Sequence, residues 1–328
     1  MICLVTGSAG FIGFHVAKTL LKRGDRVIGI DNMNNYYDPK LKEDRCAILR
    51  GAEDFTFYKM DLCDREGLET VFKEHKIDKV CHLAAQAGVR YSLIDPFVYQ
   101  RSNLEGFLNI LHLSKEYGVK NFVFASSSSV YGNNQKVPFS ETDPVDHPIS
   151  LYAATKKAGE LMAHTYHHLY KLPCVGLRFF TVYGPYGRPD MALFKFTKNI
   201  IEDKEIEVYN FGNMRRDFTY IDDIVQGVVP ALDREFAFEI INLGNNRPVA
   251  LDHFISCIEH ELGKSAKKKM LPLQAGDVVE TYADIDKAKR LLGFEPKTTV
   301  DEGVKRFVAW YKEYYKVCLE QPRHEGSR

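Results

Sequence analysis

The chain has 328 residues, enough to bury a substantial hydrophobic core in one large domain or in two smaller ones. Its 44 acidic and 44 basic residues balance, so no global field attracts nucleic acid or an anionic membrane, and we expect neither as a partner. The seven cysteines are scattered without a CxxC pair, which is typical of reduced thiols. No apolar run reaches the roughly 18 to 20 residues that span a bilayer, and the chain starts with a strand-like segment in place of a signal peptide, so a cytoplasmic location is expected.

Short apolar runs alternate with longer amphipathic stretches through the first half of the chain. Strands are predicted near Ile2–Thr6, Arg26–Asp31, Phe55–Tyr58, Lys79–Leu83, Asn121–Ser126 and Cys174–Arg178. Helices are predicted over Ile12–Arg23, Arg65–Lys73, Val98–Tyr117 and Tyr152–Tyr170. Nearly continuous apolar strands suit a parallel sheet covered on both faces. The sequence therefore predicts an α/β fold with a doubly wound parallel Rossmann sheet.

The alternation breaks after about Thr181, where glycine, proline and aspartate become denser. We predict a dinucleotide-binding domain over residues 1–180 and a smaller α/β substrate domain over residues 181–328. A segment near 217–243 is expected to return to the first domain, with Ile240–Leu243 as a strand of the main sheet. A cleft between the two domains, over the carboxyl ends of the strands, is the expected ligand site.

A glycine motif follows the first predicted strand directly. The segment from Gly7 through Gly10, Phe11 and Ile12 to Gly13 has GxxGxxG spacing and opens a helix, which lets backbone N–H groups approach a pyrophosphate. A purely structural glycine-rich turn is the alternative.

Asp31 ends the second strand, where a carboxylate would accept hydrogen bonds from an adenosine ribose. Because no arginine or lysine follows it immediately to accept a 2′-phosphate, NAD is favoured over NADP.

Two pairs of residues after later strands lie where the adenine ring and the middle of such a cofactor would pass. These pairs are Asp61-Leu62 after the third strand and Ala84-Ala85 after the fourth. On spacing alone, the two alanines could equally mark close helix packing.

Tyr152 and Lys156 have Y-x-x-x-K spacing on a predicted helix, which puts the phenol and the ammonium on one face. A lysine there can favour the phenolate and so lower the tyrosine pKa. The pattern alone also occurs by chance. A serine run, Ser126–Ser129, ends the fifth strand and could supply a hydroxyl to the same reacting oxygen, although serines also serve simply to turn a chain.

Together these motifs resemble the extended short-chain dehydrogenase/reductase family over nearly the whole chain. Within that family, the segments Ala85–Ser92 and Arg178–Met191 are most similar to UDP-glucuronate 4-epimerases. The resemblance implies that Tyr152 removes the proton of the sugar C4 hydroxyl while a bound NAD takes the C4 hydride, that Ser127 steadies the C4 oxygen, and that Lys156 holds the cofactor ribose. The resulting 4-keto sugar turns over in the site, takes the hydride back on its other face, and regenerates NAD.

The resemblance also indicates which reaction is expected. Relatives that dehydrate or decarboxylate place a carboxylate beside the catalytic serine or threonine, whereas this chain has Ser128 and Ser129 there, on the substrate side. Thr181 stands where UDP-galactose epimerases typically carry asparagine. Our hypothesis is that Thr181 and Ser128, with Arg188, hold the glucuronate carboxylate. A phosphate contact or a solvated loop charge is the alternative role for Arg188.

For the UDP end, the resemblance implies that Arg216 binds the diphosphate and Asp277 the uridine ribose, while Gln274 replaces an arginine of several relatives. A homodimer formed by the two long helices is expected. No metal site is expected, because the histidines of the helix Tyr152–Tyr170 have no carboxylate or cysteine partner. The alternatives are a UDP-glucose or UDP-N-acetylhexosamine 4-epimerase, a UDP-glucuronate decarboxylase, and a catalytically inactive scaffold that senses NAD or sugars.

Overall fold

A seven-stranded parallel sheet dominates the computed structural model, which describes residues 1–274 and 278–317. The strands in chain order are β1 Ile2–Thr6, β2 Arg26–Asp31, β3 Phe55–Lys59, β4 Lys79–His82, β5 Asn121–Ser127, β6 Cys174–Phe179, β7 Thr181–Tyr183, β8 Glu205–Val208, β9 Arg215–Tyr220, β10 Phe238–Leu243, β11 Pro248–Ala250, β12 Lys267–Met270 and β13 Glu280–Thr281. The main sheet has the order β10-β6-β5-β4-β1-β2-β3, and every neighbouring pair in it is parallel. The predicted doubly wound sheet is thus confirmed.

Helices cover both faces of this sheet. The helices in chain order are α1 Phe11–Lys22, α2 Pro39–Arg50, α3 Arg65–Glu74, α4 Pro96–Tyr99, α5 Gly106–Glu116, α6 Leu151–Tyr170, α7 Ala192–Ile201, α8 Ile221–Asp233, α9 Leu251–Leu262, α10 Asp286–Leu292 and α11 Val300–Tyr314. Helices α1, α2 and α8 lie on one face of the main sheet and α3, α5 and α6 on the other, whereas α7, α9 and α11 pack around the small sheets. Successive side chains of β1 point to opposite faces of the sheet. Val5 packs in the apolar cluster under α1, α2 and α8, and Leu4 packs in the cluster under α3 and α5. Continuous apolar strands are required because both faces are buried.

The predicted helix Val98–Tyr117 is interrupted, since residues 100–105 widen into a π-helical turn between α4 and α5. This turn directs the Asn103 amide inward. Asn103 Nδ2 donates to the Gln86 carbonyl oxygen and to Thr155 Oγ1, both at 3.0 Å, and Oδ1 accepts from the Gln86 N–H at 2.8 Å. The irregular turn therefore fixes the loop after β4 to helix α6, as such turns often do near functional sites.

The second half of the chain builds two small sheets and then returns to the large one. Strand β9 lies between β11 and β13 and also pairs with β7, while β8 pairs with β12. Phe218 of β9 stacks on Phe254 of α9 with ring centroids 4.0 Å apart. Strand β10 pairs with β6 at the edge of the main sheet.

The chain reverses its strand order between β1 and β4, so the carboxyl ends of these strands open a crevice. The carboxyl end of β5 and the segment after β6 lie at the same edge of the sheet. In the part of the chain that the structure describes, no helix combines the length and the hydropathy needed to cross a membrane.

Candidate active site

One large cavity, of about 910 Å³, lies over this edge of the sheet and extends to the small sheets. Eighteen of the residues singled out in the sequence line it: Gly7, Gly10, Phe11, Ile12, Gly13, Asp31, Asp61, Leu62, Ala84, Ala85, Ser127, Ser128, Ser129, Tyr152, Lys156, Thr181, Arg188 and Arg216. Ser126 of the serine run also lines the cavity, Gln274 does not, and Asp277 falls outside the described residues. Residues spread over more than 200 positions therefore meet in one space.

The glycine motif forms a cradle that side chains would fill. A Cβ on Gly13 would lie 2.1 Å from the Gly7 carbonyl oxygen, and Gly7 itself has φ +71°. Helix α1 follows with Gly10 as its N-cap, so no side chain caps its first N–H groups, and its first turn holds no acidic residue. The free donors and the helix dipole favour a bound anion, and the cradle fits the pyrophosphate of a dinucleotide.

Two carboxylates continue this site along the sheet edge. Asp31 Oδ2 accepts from the Ala9 N–H at 3.2 Å and Oδ1 from the Met33 N–H at 2.9 Å, which anchors the carboxylate beside the glycine loop. Partial burial would raise the pKa of Asp61, but hydrogen bonds from the Cys63 backbone and the Asn32 amide hold that pKa below its usual value. Asp61 therefore remains a hydrogen-bond acceptor near neutral pH, as a contact to the cofactor requires.

Helix α6 carries Tyr152, Lys156 and Glu160 at intervals of four residues, so the three side chains follow one face. The helix is anchored at its start, where Ser150 Oγ accepts from the Ala153 N–H at 3.2 Å. Burial raises the pKa of the Tyr152 phenol, whereas a hydrogen bond with Ser127 and the positive charge of Arg188 act to lower it. The phenol therefore stands between a hydroxyl and a cation, which is the setting for proton transfer to and from an alcohol.

Lys156 is directed at the sheet. Its Nζ donates to the Ala125 carbonyl oxygen at 2.9 Å and lies 5.9 Å from the centroid of the Tyr152 ring. Burial lowers the pKa of Lys156 to about 8. The lysine is thus a desolvated cation beneath the phenol.

A buried polar chain stands behind the serine run. Ser126 Oγ donates to Glu160 Oε1 at 2.6 Å, and Arg178 binds both Glu160 oxygens at 2.8 and 2.9 Å. Arg178 Nη1 continues the chain to Tyr131 Oη at 3.0 Å. This chain joins α6 to the ends of β5 and β6, so it fixes the serine and the tyrosine relative to each other.

Arg188 belongs to a second cluster, which sequence reasoning missed. Its Nε and Nη2 donate to the two oxygens of Asp190 at 3.0 and 2.5 Å, and Tyr36 Oη donates to Asp190 at 3.1 Å. Among the described residues, no hydrogen bond joins Arg188 Nη1 to the protein. Tyr36 precedes Asp190 by 154 residues, so no local pattern could have connected them.

At the opposite end of the cavity, Arg216 is oriented by backbone carbonyls. Its Nη1 donates to the Val279 oxygen at 2.9 Å and its Nη2 to the Val278 oxygen at 2.5 Å. Arg90 also lines the cavity, with its guanidinium 4.5 Å from the Tyr209 ring centroid. Arg90 was not singled out in the sequence because one arginine in a loop gives no distinct signal.

Comparisons with known proteins agree with this geometry. A UDP-glucuronate 4-epimerase of Thermodesulfobacterium geofontis is 50% identical over 94% of this chain and 96% of its own. The crystal structure of UDP-glucuronic acid 4-epimerase from Bacillus cereus, in complex with UDP-glucuronic acid and NAD, superposes with a TM-score of 0.91 at 37% identity, over 96% of this chain and all of that one. A UDP-glucose 4-epimerase from Thermotoga maritima with UDP-glucose gives 0.87 at 33% identity, over 96% of this chain and all of its own. Residues 3–244 match the family model described as the NAD dependent epimerase/dehydratase family, and the chain belongs to that family.

Proposed function

We propose that this protein is an NAD-dependent isomerase that interconverts UDP-glucuronate and UDP-galacturonate at sugar C4 through a 4-keto intermediate. The observation that carries the proposal is geometric: Tyr152, Ser127 and Lys156 line the same cavity as the glycine cradle, with Lys156 Nζ 5.9 Å from the Tyr152 ring centroid. The relatives that are similar over nearly the whole chain are named for the same reaction.

The residues of the first half would hold NAD. Gly7, Gly10 and Gly13, with the N-terminus of α1, fit its pyrophosphate, and Asp31 is placed for the adenosine ribose. Asp61, Leu62, Ala84 and Ala85 line the cavity between them and Tyr152. When bound, NAD supplies the hydride acceptor and donor for C4. We assign cofactor binding to the main sheet and sugar-nucleotide binding mainly to the part after residue 180.

Tyr152 takes the proton of the C4 hydroxyl and later returns it, while Ser127 hydrogen-bonds the same oxygen. The buried ammonium of Lys156 is held by the Ala125 carbonyl oxygen, 5.9 Å from the centroid of the Tyr152 ring, whereas the groups that lower the Tyr152 pKa are Ser127 and Arg188. Because the Ser126–Glu160–Arg178 chain holds β5 against α6, the hydroxyl and the phenol keep their relative positions while the sugar turns over.

Arg188, Thr181 and Ser128 are proposed to hold the substrate carboxylate. A 4-keto uronate is a β-keto acid that loses carbon dioxide readily, so the site must keep the carboxylate from leaving. Arg188 is suited to this role because its charge reaches Tyr152 and its Nη1 has no protein acceptor among the described residues. Ser129 lines the same wall, and Arg216 is assigned to the diphosphate.

The direct test incubates purified protein with UDP-glucuronate, without added NAD, and follows the products by chromatography. We expect UDP-galacturonate, and we expect Tyr152→Phe to lose about 10²- to 10⁴-fold in rate while remaining folded. Tyr166→Phe, on the same helix but outside the cavity, is the matched control. Carbon dioxide as the main product would replace the epimerase by a decarboxylase. A Tyr152→Phe variant with full activity would refute the role of Tyr152, and a wild-type protein that forms no product would leave only a binding protein.

The carboxylate contact is tested by Arg188→Met with UDP-glucuronate and UDP-glucose side by side. Losing a charge-assisted hydrogen bond, worth about 1.5–3 kcal/mol, should lower kcat/KM for UDP-glucuronate by about 10-fold or more relative to UDP-glucose. In Arg188→Met, the Asp190 carboxylate is left without its guanidinium partner and would repel the substrate carboxylate. The double variant Arg188→Met/Asp190→Asn removes this repulsion, so it measures the loss of the Arg188 contact alone. An equal loss on both substrates would discard this role.

A homodimer is also proposed. Leu161 and Leu169 of α6 are 57% and 59% exposed, and Leu108 of the neighbouring α5 is 42% exposed. Apolar side chains at this density on two adjacent helices are typical of a subunit interface.

Six described cysteines are free thiols, which suits the reducing cytoplasm that we propose as the location of the protein. They are Cys3, Cys46, Cys63, Cys81, Cys174 and Cys257.

A further inference from the structure

Three possible metal ligands of different chemistry converge on the outer face of the second half of the chain. His253 and Cys257 are one turn apart on α9, and Asp301 lies in the first turn of α11, which packs beside α9. All three ligand atoms lie within 4.8 Å of one another. The cluster is outside the cavity described above, so the inference drawn from it does not depend on the proposed function.

The separations of these atoms are those of ligands around a cation. Cys257 Sγ lies 3.6 Å from His253 Nε2 and 3.5 Å from Asp301 Oδ1, and Nε2 lies 3.5 Å from Asp301 Oδ2. With Zn–S of about 2.3 Å and Zn–N and Zn–O of about 2.0–2.1 Å, a tetrahedral site has S–N and S–O edges of about 3.5 Å and an N–O edge of about 3.3 Å. Each of the three separations is thus close to an edge of a zinc tetrahedron, with Sγ facing Oδ1 and Nε2 facing Oδ2 of the Asp301 carboxylate.

Without a metal, the cluster would be joined by a hydrogen bond from the Cys257 thiol to Asp301 Oδ1. A catalytic triad fits the geometry less well. In a nucleophilic triad, the imidazole uses one nitrogen for the nucleophile and the other for the orienting carboxylate. Here the same nitrogen, Nε2, faces both the sulfur and the carboxylate. A separation of 3.5 Å between Nε2 and Oδ2 is also longer than the 2.7–3.2 Å of a hydrogen bond between nitrogen and oxygen.

We propose that His253, Cys257 and Asp301 form a site for a divalent transition-metal ion, with Zn²⁺ as the best match to one nitrogen, one sulfur and one oxygen ligand. Thiolate and imidazole disfavour Mg²⁺ and Ca²⁺, which prefer oxygen ligands. The His253 and Asp301 side chains are 54% and 68% exposed, so a water molecule can complete the coordination. The cation bridges α9 and α11, since its ligands come from both helices.

A metal ion bound between α9 and α11 would stabilise the packing behind the cavity. Helix α9 carries Phe254, which stacks on Phe218 in the wall of the cavity, and the residue before α11, Thr299, accepts a hydrogen bond from Tyr183 Oη at 3.2 Å. A cation shared by the two helices would therefore stabilise the outer layer behind the substrate side. Since the unfolded chain does not assemble these ligands, metal binding must favour the folded protein.

The probe is Co²⁺, added to untagged full-length protein after dialysis against a chelator. Binding should produce a thiolate-to-cobalt charge-transfer band in the near ultraviolet, with one ion per chain, and Zn²⁺ should displace it. Cys257→Ser should abolish the band, and His253→Ala and Asp301→Ala, at exposed positions that tolerate change, should weaken affinity at least about 10-fold. At the same concentration, Zn²⁺ should raise the Tm of the wild type more than that of His253→Ala.

Matched controls come from the same helix and from another thiol. His260→Ala changes an exposed histidine of α9 outside the cluster, and Cys63→Ser changes a partly exposed thiol elsewhere, so both should retain the band. The proposal is overturned if the wild type gives no thiolate band, if the band persists in Cys257→Ser, if His253→Ala and Asp301→Ala bind like the wild type, or if Zn²⁺ leaves the wild-type Tm unchanged.

Discussion

Replacing Glu160 by alanine should destabilise the protein far more than breaking a surface ion pair. Glu160 and Arg178 have side chains only 3% exposed and are joined by two hydrogen bonds of 2.8 and 2.9 Å. Removing one partner leaves a buried, unpaired guanidinium, which costs about 3–5 kcal/mol. For a chain of this size, at roughly 2 °C per kcal/mol, the apparent Tm should fall by about 6–10 °C.

Calorimetry of three variants tests this reasoning. Glu69→Ala breaks the exposed Lys73–Glu69 pair, 2.9 Å long on helix α3, and should cost less than about 1 kcal/mol. Glu160→Leu/Arg178→Met removes both buried charges and should be more stable than Glu160→Ala, because no cation is left without a partner. Equal Tm values for Glu160→Ala and Glu69→Ala, or a double variant less stable than Glu160→Ala, would refute the assignment of the cost to the unpaired charge.

Three further outcomes are expected. Gly13→Ala puts a Cβ 2.1 Å from the Gly7 carbonyl oxygen, so calorimetric NAD affinity should fall at least about 10-fold; unchanged affinity would mean that the cradle is not the cofactor site. Burial alone would raise the pKa of Glu160, but the hydrogen bonds from Arg178 hold this pKa below its usual value. The stability that the carboxylate contributes is therefore complete above pH 4.5 and is lost as the pH falls further. In Glu160→Gln, the Tm should fall less steeply than in the wild type as the pH is lowered below 4.5. Leu161→Asp/Leu169→Asp should yield monomers in light scattering, whereas monomeric wild type would exclude the proposed dimer.

The sequence predicted features that depend on near neighbours along the chain. The glycine motif, Asp31 at the end of β2 and the spacing of Tyr152 and Lys156 are local patterns, each tied to one strand end or one helix face. Because the carboxyl ends of parallel strands share one edge, local patterns suffice to bring these residues into one cavity.

Features that depend on distant partners could not be predicted in the same way. Glu160 pairs with an arginine of β6, and Asp190 with Tyr36; because the partners of each pair lie on different elements, no helical or strand periodicity connects them. The π-helical turn at residues 100–105 escaped prediction because its apolar pattern continues that of a helix, and only the contacts of Asn103 explain it. His253 and Cys257 do show helical spacing, but Asp301 lies 44 residues beyond Cys257.

The pairing of Arg188 with Asp190 limits how strongly the site can reject a sugar without a carboxylate. Enzymes exclude an analogue most effectively when it leaves a buried polar group without a partner. Under the proposed role of Arg188, Nε and Nη2 keep Asp190 whichever ligand enters, so a neutral hexose leaves only Nη1 without an acceptor. Other nucleotide sugars of the cell should therefore compete for the site, and the flux through the enzyme should depend on how abundant they are.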